Sequence, residues 1–438
     1  MAWPTALPWT NSSLTGFDGI DGIDDRAIYG GAMSRIDDVL GDVAALGADD
    51  IAWKNGRAFS LAYYAGPEVQ RVADEAFAMY GSANGLNVDA FPSLRRFQSD
   101  VVSTVSGWLS APDSAAGFMT SGGTESILLA VKAAREFGRR ERGVSSPNVV
   151  MPTSAHAAFE KGCYYFGVEA RRAPVRDDWR ADVAAMESLV DENTVMLVGS
   201  APQYPQGVID PIPAIASLAQ SRDLLCHVDA CMGGVTLHFL EMAGETVAPW
   251  NFAVPGVTSM SVDLHKYGYT SKGASVVVYR TKALRALQTF VTDNWLGGLY
   301  GSSGILGTKS GGPMAAAWAV LRYLGDDGYR DLTMRARRAA LHLADAVDAH
   351  PDLVLRARPD STLLSFGSDR VDPFAIADSL AARGWYVDRQ SPPPSLHCTV
   401  NAVHDQVIDE FVADLTVAVR EATSAARVGS AGAYGTVD

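Results

Sequence analysis

The chain has 438 residues, 47% of them hydrophobic and 20% charged, with a formal net charge of −14. That length can bury a large core in more than one domain, and the acidity argues against nucleic acid and anionic membrane surfaces as partners, since both need basic density. No window approaches the roughly 18 apolar residues of a spanning helix, and the start M-A-W-P-T-A-L-P-W-T lacks a basic n-region and a long apolar run, so a cytoplasmic chain is expected. Cys163, Cys226, Cys231 and Cys398 show no C-x-x-C spacing and read as buried thiols in a reducing compartment, with no metal site.

Residues 1–55 form an arm containing Pro and Ser, the near-repeat F-D-G-I-D-G-I-D-D and an expected helix over 32–45 with Met33, Ile36, Leu40 and Ala44 on one side. The near-repeat lacks the ligand spacing of a calcium loop and reads as an acidic turn. From 56 to about 294, strand-like runs at 148–151, 195–199, 225–228, 258–262 and 274–279 alternate with amphipathic helices, which predicts an α/β domain with a mostly parallel sheet covered on both faces. From 313 on, the pattern is helical over 314–324 and 329–349, then a strand at 362–366, a helix at 373–383 and a strand at 397–401. This predicts a small C-terminal α+β domain, dividing the chain into 1–55, 56–312 and 313–438. The small, polar tail is expected to fray.

Three stretches carry chemistry. In T-S-M-S-V-D-L-H-K-Y-G-Y-T-S-K-G-A-S-V-V-V-Y-R, two β-rich runs flank a turn holding His265, Lys266 and Lys272. A lysine at a strand end, walled by Val262, Leu264, Tyr267 and Tyr269, can be desolvated enough to attack a carbonyl. The run L-L-C-H-V-D-A-C-M-G-G reads as a buried strand ending in Asp229, a carboxylate that needs a cation; a protonated pyridine nitrogen would serve, and a Schiff-base lysine with such an aspartate is the signature of pyridoxal phosphate. In F-M-T-S-G-G-T-E-S-I-L-L-A-V-K, a Ser121-Gly122-Gly123-Thr124 turn opens a helix whose N-terminus suits a phosphate, with a Cβ-free backbone at Gly122 and Gly123 for close approach.

These motifs, with P-T-S-A-H-A-A-F-E-K-G, P-Q-Y-P-Q-G-V-I-D and G-G-L-Y-G-S, resemble the pyridoxal phosphate-dependent decarboxylase group, most closely the sphingosine-1-phosphate lyases, over roughly residues 56–415. The resemblance implies a fold-type-I enzyme that works as a homodimer with shared active sites. It implies His156 stacked on the cofactor ring, His265 on its phosphate, Tyr204 and Lys272 facing the substrate, and Tyr64 (Tyr63 under a one-residue shift) entering the neighbouring subunit's site. It also implies that the glycine-rich loop at 301–312 crosses the dimer, with Ser302 the contact to the other cofactor's phosphate. Two departures stand out: Asn87 occupies the place of a family histidine, and Thr308-Lys309 replaces Ser-Arg, a point charge instead of a planar fork.

The expected reaction is carbon–carbon cleavage of a phosphorylated amino alcohol to an aldehyde and phosphoethanolamine. An L-amino-acid decarboxylase or related lyase with the same cofactor is the alternative. A protein that kept the fold and lost the chemistry is disfavoured by the presence of both Lys266 and Asp229.

Overall fold

A computed structural model describes residues 34–425 and Gly429; the acidic near-repeat and most of the tail lie outside them. The main sheet has seven strands, β1 (Ala116–Thr120), β2 (Asn148–Pro152), β3 (Glu169–Ala173), β4 (Thr194–Ser200), β5 (Leu225–Asp229), β6 (Ser259–Asp263) and β7 (Ser275–Tyr279), in the order β1-β7-β6-β5-β4-β2-β3. Strands β2 to β6 pair in parallel, and β7 runs antiparallel between β6 and β1.

Every residue of β4, β5, β6 and β7 is buried, as near-continuous apolar runs require when helices cover both faces. The two-residue period sorts the side chains. Val149, Met151 and Val198 pack with Ile127, Val131 and Phe159 of the helices Gly123–Glu141 and Ala158–Phe166. Val150, Leu197 and Val228 pack on the other face with Ile212, Ile215 and Leu237. The edge strand β3, E-A-R-R-A, has no apolar run and so no strand signal in the sequence. Its Arg171 instead pairs with Asp191 at 2.7 Å and Glu169 at 2.9 Å.

A hairpin of β8 (Phe290–Thr292) and β9 (Tyr300–Ser302) follows. The helix Gly312–Ala349 breaks at Gly325, where φ is +55°, a conformation that favours glycine. Before the break, Met314, Ala316, Ala317 and Val320 join the large core. Near the helix's far end, Ala340, Leu343 and Val347 join a second core with Phe366, Leu396 and Phe411. That core backs a four-stranded antiparallel sheet of β10 (Val354–Leu355), β11 (Leu363–Gly367), β12 (Asp388–Gln390) and β13 (Ser395–Thr399), in the order β10-β11-β13-β12.

A strap at 58–64 ties the two cores together. Phe59 is fully buried in the second core, stacked on His404 with ring centroids 4.1 Å apart, and its N–H donates to the Tyr386 carbonyl at 2.9 Å. Its carbonyl accepts from the Thr399 N–H at 2.6 Å. The strap thereby carries Ser60, Leu61 and Tyr63 to the mouth of the main sheet.

Candidate active site

The parallel strands β4, β5 and β6 end side by side at Ser200, Asp229 and Asp263, and a cavity of about 250 Å³ opens beyond these carboxyl ends, where open α/β sheets build their sites. Asp229, His156, His265, Lys266, Tyr204, Gly122, Gly123 and Thr124 all line it. Residues from five separate stretches of sequence thus converge on one volume.

Lys266 sits in the turn after β6, and its ammonium lies 2.9 Å from Asp263 Oδ2. The expected apolar wall is corrected here: Val262, Leu264, Tyr267 and Tyr269 point into the large core, and the side chain that meets the amine is a carboxylate. Burial alone would raise the Asp263 pKa. The charges of Lys266 and His265, with the Ser275 hydroxyl donating at 2.5 Å, bring it down to about 2. Asp263 was missed in the sequence, although its i, i+3 spacing to Lys266 at a strand end was a usable signal.

Asp229 accepts from the Cys231 N–H at 3.0 Å and the Ser261 hydroxyl at 3.1 Å, both on Oδ1, which leaves Oδ2 for a cation. Behind it, His227 is clamped between Ser259 at 2.9 Å and Ser261 at 3.2 Å, and burial pushes its pKa down to about 4. A neutral imidazole there adds no competing positive charge. His156 accepts the Ala158 N–H on Nδ1 at 3.1 Å, so it caps the helix start and the proton of its neutral ring resides on Nε2. Burial lowers its pKa, while the Asp229 charge opposes that.

The helix Gly123–Glu141 begins with no side-chain cap and aims its N-terminus at the cavity. Gly122 has an extended φ of 169°, and a Cβ there would meet only His265 Cε1 at 3.5 Å. The close approach is at Gly123, where a Cβ would come within 2.7 Å of Cys231 Sγ and 2.8 Å of Asp263 Oδ2. Ser121 does not line the cavity, and its backbone N–H donates to Glu125 Oε2 at 2.6 Å.

Lys272 stands off the cavity wall. Its ammonium donates to the Leu61 carbonyl at 2.9 Å and the His265 carbonyl at 3.4 Å, over the Tyr63 ring at 5.0 Å. Although Lys272 is an exposed residue, the groups packed round its ammonium and the Lys266 charge bring its pKa down to about 8. Tyr64 packs edge-on against Trp53 and lines no part of this cavity, whereas Tyr63 contacts Met232 Sδ at 3.9 Å and Tyr267. Ser302 also lies outside the cavity of its own chain, donating to the Gly304 carbonyl at 3.2 Å. Lys309 bonds the Met119 carbonyl at 3.2 Å and lies over the Phe118 ring, and Asn87 accepts the N–H groups of Asp89 and Ala90 in a local turn.

Residues 32–368 match the pyridoxal-dependent decarboxylase conserved domain. The chain belongs to the pyridoxal-dependent decarboxylase family. A sphingosine-1-phosphate lyase from Oryza sativa is 37% identical over 385 residues, covering 86% of this chain and 71% of that protein. The solved structure of a Burkholderia pseudomallei sphingosine-1-phosphate lyase superposes with a TM-score of 0.86 at 36% identity, covering 92% of this chain and 95% of the other. A glutamate decarboxylase from Lactobacillus brevis shares the fold at 20% identity, with a TM-score of 0.79 over 90% of this chain and 95% of that one. The chain is therefore a fold-type-I, pyridoxal phosphate-dependent lyase.

The residues present fit that cofactor. His265 Nδ1 is buried with no hydrogen-bond partner among the described residues and borders the cavity beside the uncapped helix start, so an anion there would satisfy both. Asp229 Oδ2 suits a pyridinium nitrogen, and Lys266 is the cavity's amine.

Proposed function

We propose that this lyase cleaves a phosphorylated amino alcohol by a retro-aldol step, releasing an aldehyde and phosphoethanolamine. The geometric observation that carries the reading is Lys272, a cation at the mouth of the site that the cofactor's phosphate, ring and carbonyl do not require. The similarity supports it too: the two lyase relatives match at 37% and 36% identity, the decarboxylase at 20%, which bears on the fold alone.

When bound, pyridoxal phosphate supplies an electron sink for the bond broken at the substrate's Cα. Lys266 would hold the cofactor through its amine, and Asp263 beside it is the carboxylate that balances that amine's charge. Asp229, positioned by Ser261 and the Cys231 N–H, would keep a proton on the ring nitrogen. Gly123, Thr124 and His265 would bind the phosphate, and His156 would present its Nε2 N–H to the ring. Lys272 receives the substrate's phosphate. Tyr204, on the cavity wall, faces the substrate's reacting end.

Exposed apolar groups support a homodimer in which the site is completed by a second copy. Trp295, Leu296 and Leu299 are 60%, 107% and 76% exposed between β8 and β9, and the helix Ile36–Leu46 exposes Ile36, Leu40 and Val43. In that assembly Tyr64 and Ser302 would serve the neighbouring site. The four free, buried cysteines accord with a reducing cytoplasm.

Product analysis tests the reaction. Incubation with a phosphorylated sphingoid base is expected to yield a fatty aldehyde and phosphoethanolamine; carbon dioxide and an amine from L-amino acids instead would establish a decarboxylase. Asn87 in place of histidine removes a group that can carry charge, so Asn87→His is expected to raise kcat/KM on the sphingoid base by roughly tenfold. An unimproved rate in that variant would show that position 87 does not limit this substrate.

A further inference from the structure

Behind Tyr204 lies a carboxylate from the small domain. Tyr204 donates its phenolic proton to Asp388 Oδ2 at 2.5 Å, and Ser60 on the strap donates to the same oxygen at 2.6 Å. Asp388 is 8% exposed, does not line the cavity, and has no ion-pair partner among the described residues, so its charge is answered by two hydroxyls. Facing it across the sheet is His397, whose ring lies 4.0 Å from that of Tyr204. Burial pushes the His397 pKa down to about 4, so this neighbour is neutral. The adjacent Arg389 is occupied by Asp378 at 2.7 Å.

We infer that Asp388 is a positioning residue for Tyr204, orienting the phenol as the acceptor of the substrate's hydroxyl proton and taking the phenolic proton in turn. The inference rests on the retro-aldol reading above. As the Cα–Cβ bond breaks, the hydroxyl oxygen becomes the aldehyde oxygen and its proton passes to Tyr204 Oη. The phenolic proton moves to Asp388 Oδ2, and the bond's electron pair stays on Cα, where the bound cofactor would delocalise it. The count closes because Cα takes up one proton before product leaves and the Tyr204–Asp388 pair releases one.

The other groups at the site are less suited to this task. His156 presents an N–H, not a lone pair, at Nε2; Asp229 would be committed to the ring nitrogen; Lys266 is a cation paired with Asp263 at 2.9 Å; and Lys272, also a cation, lies off the wall. Tyr204 combines a place on the wall with a buried carboxylate behind it that does not itself line the cavity.

Asp388→Asn separates proton transfer from mere packing, since the amide oxygen still accepts from Tyr204 and Ser60 but does not take the proton. In the holoenzyme, this variant is expected to keep its visible cofactor band and its KM while kcat falls roughly a hundredfold, with the solvent deuterium isotope effect on kcat changed. Tyr204→Phe should lower kcat comparably, and the double variant should fall little further, because the two act as one unit. A variant Asp388→Asn with wild-type kcat and isotope effect overturns the inference, as does full additivity of the two substitutions. If Asp388→Asn does not fold, the isotope effect and kcat of Tyr204→Phe decide alone, wild-type values overturning it. If the unmodified enzyme releases carbon dioxide and forms no aldehyde, the retro-aldol reading itself has failed and this role falls with it.

Discussion

Gly123 and Lys272 make the most direct tests at the residue scale. Gly123→Ala puts a methyl group into the Asp263 carboxylate and Cys231 Sγ, so it should raise the cofactor's dissociation constant by about tenfold or more, read from the visible absorbance titration. Gly122→Ala, with only an ordinary contact to meet, should change it little. Lys272 is charged below its pKa of about 8 and neutral above it. KM for a phosphorylated substrate should therefore rise as pH passes upward through about 8, and Lys272→Met should flatten that profile. A KM that rises in the same way for Lys272→Met would assign the titration to another group. Asp229 was legible in the sequence because it closes an apolar run, and Lys266 because it stands in a short polar turn between two β-rich runs. Asp263, Ser60 and Asp388 were not, since their importance lies in contacts made across domains or against a side chain whose direction a linear pattern does not fix.

The strap is the element on which the two cores depend. Phe59 is fully buried between His404, Phe411 and Trp385, so Phe59→Ala should cost about 3–5 kcal/mol of stability by denaturant unfolding, and kcat should fall as Ser60 loses its register. Loss of stability with unchanged kcat would mean that the strap's placement does not matter to the site. The central strands were readable as apolar runs, and the family-like stretch Y-L-G-D-D-G-Y marked a helix break near 323–329, which falls at Gly325. The short β8, β9, β10 and β12 were not, because two or three residues carry too little periodicity and are held by tertiary pairing. The strap itself has no repeating pattern. The hydrogen bonds of Phe59 go to Tyr386 and Thr399, both more than three hundred positions away.

Across the whole molecule, three buried histidines tie stability to pH. His227, His397 and His404 have folded pKa values of about 4, well below the ordinary 6.5, because burial disfavours their charged forms. The unfolded chain binds those protons first, so stability is full above about 6.5 and is lost as pH falls toward 4. Asp210 opposes this, since burial raises its pKa to about 6 and the folded state takes up its proton in the same window, but one carboxylate offsets only part of three histidines. Tm should fall steadily from pH 6.5 to 4, and a flat Tm there would contradict the burial of these rings.

The central claim, that Lys266 carries the cofactor at the ends of β4, β5 and β6, is tested most directly by borohydride reduction of the holoenzyme followed by peptide mapping. Reduction fixes the cofactor to the amine that holds it. The expected result is loss of the visible band and one modified peptide, labelled at Lys266, with no label in Lys266→Ala. A label at Lys272, or none anywhere after incubation with pyridoxal phosphate, would contradict the account.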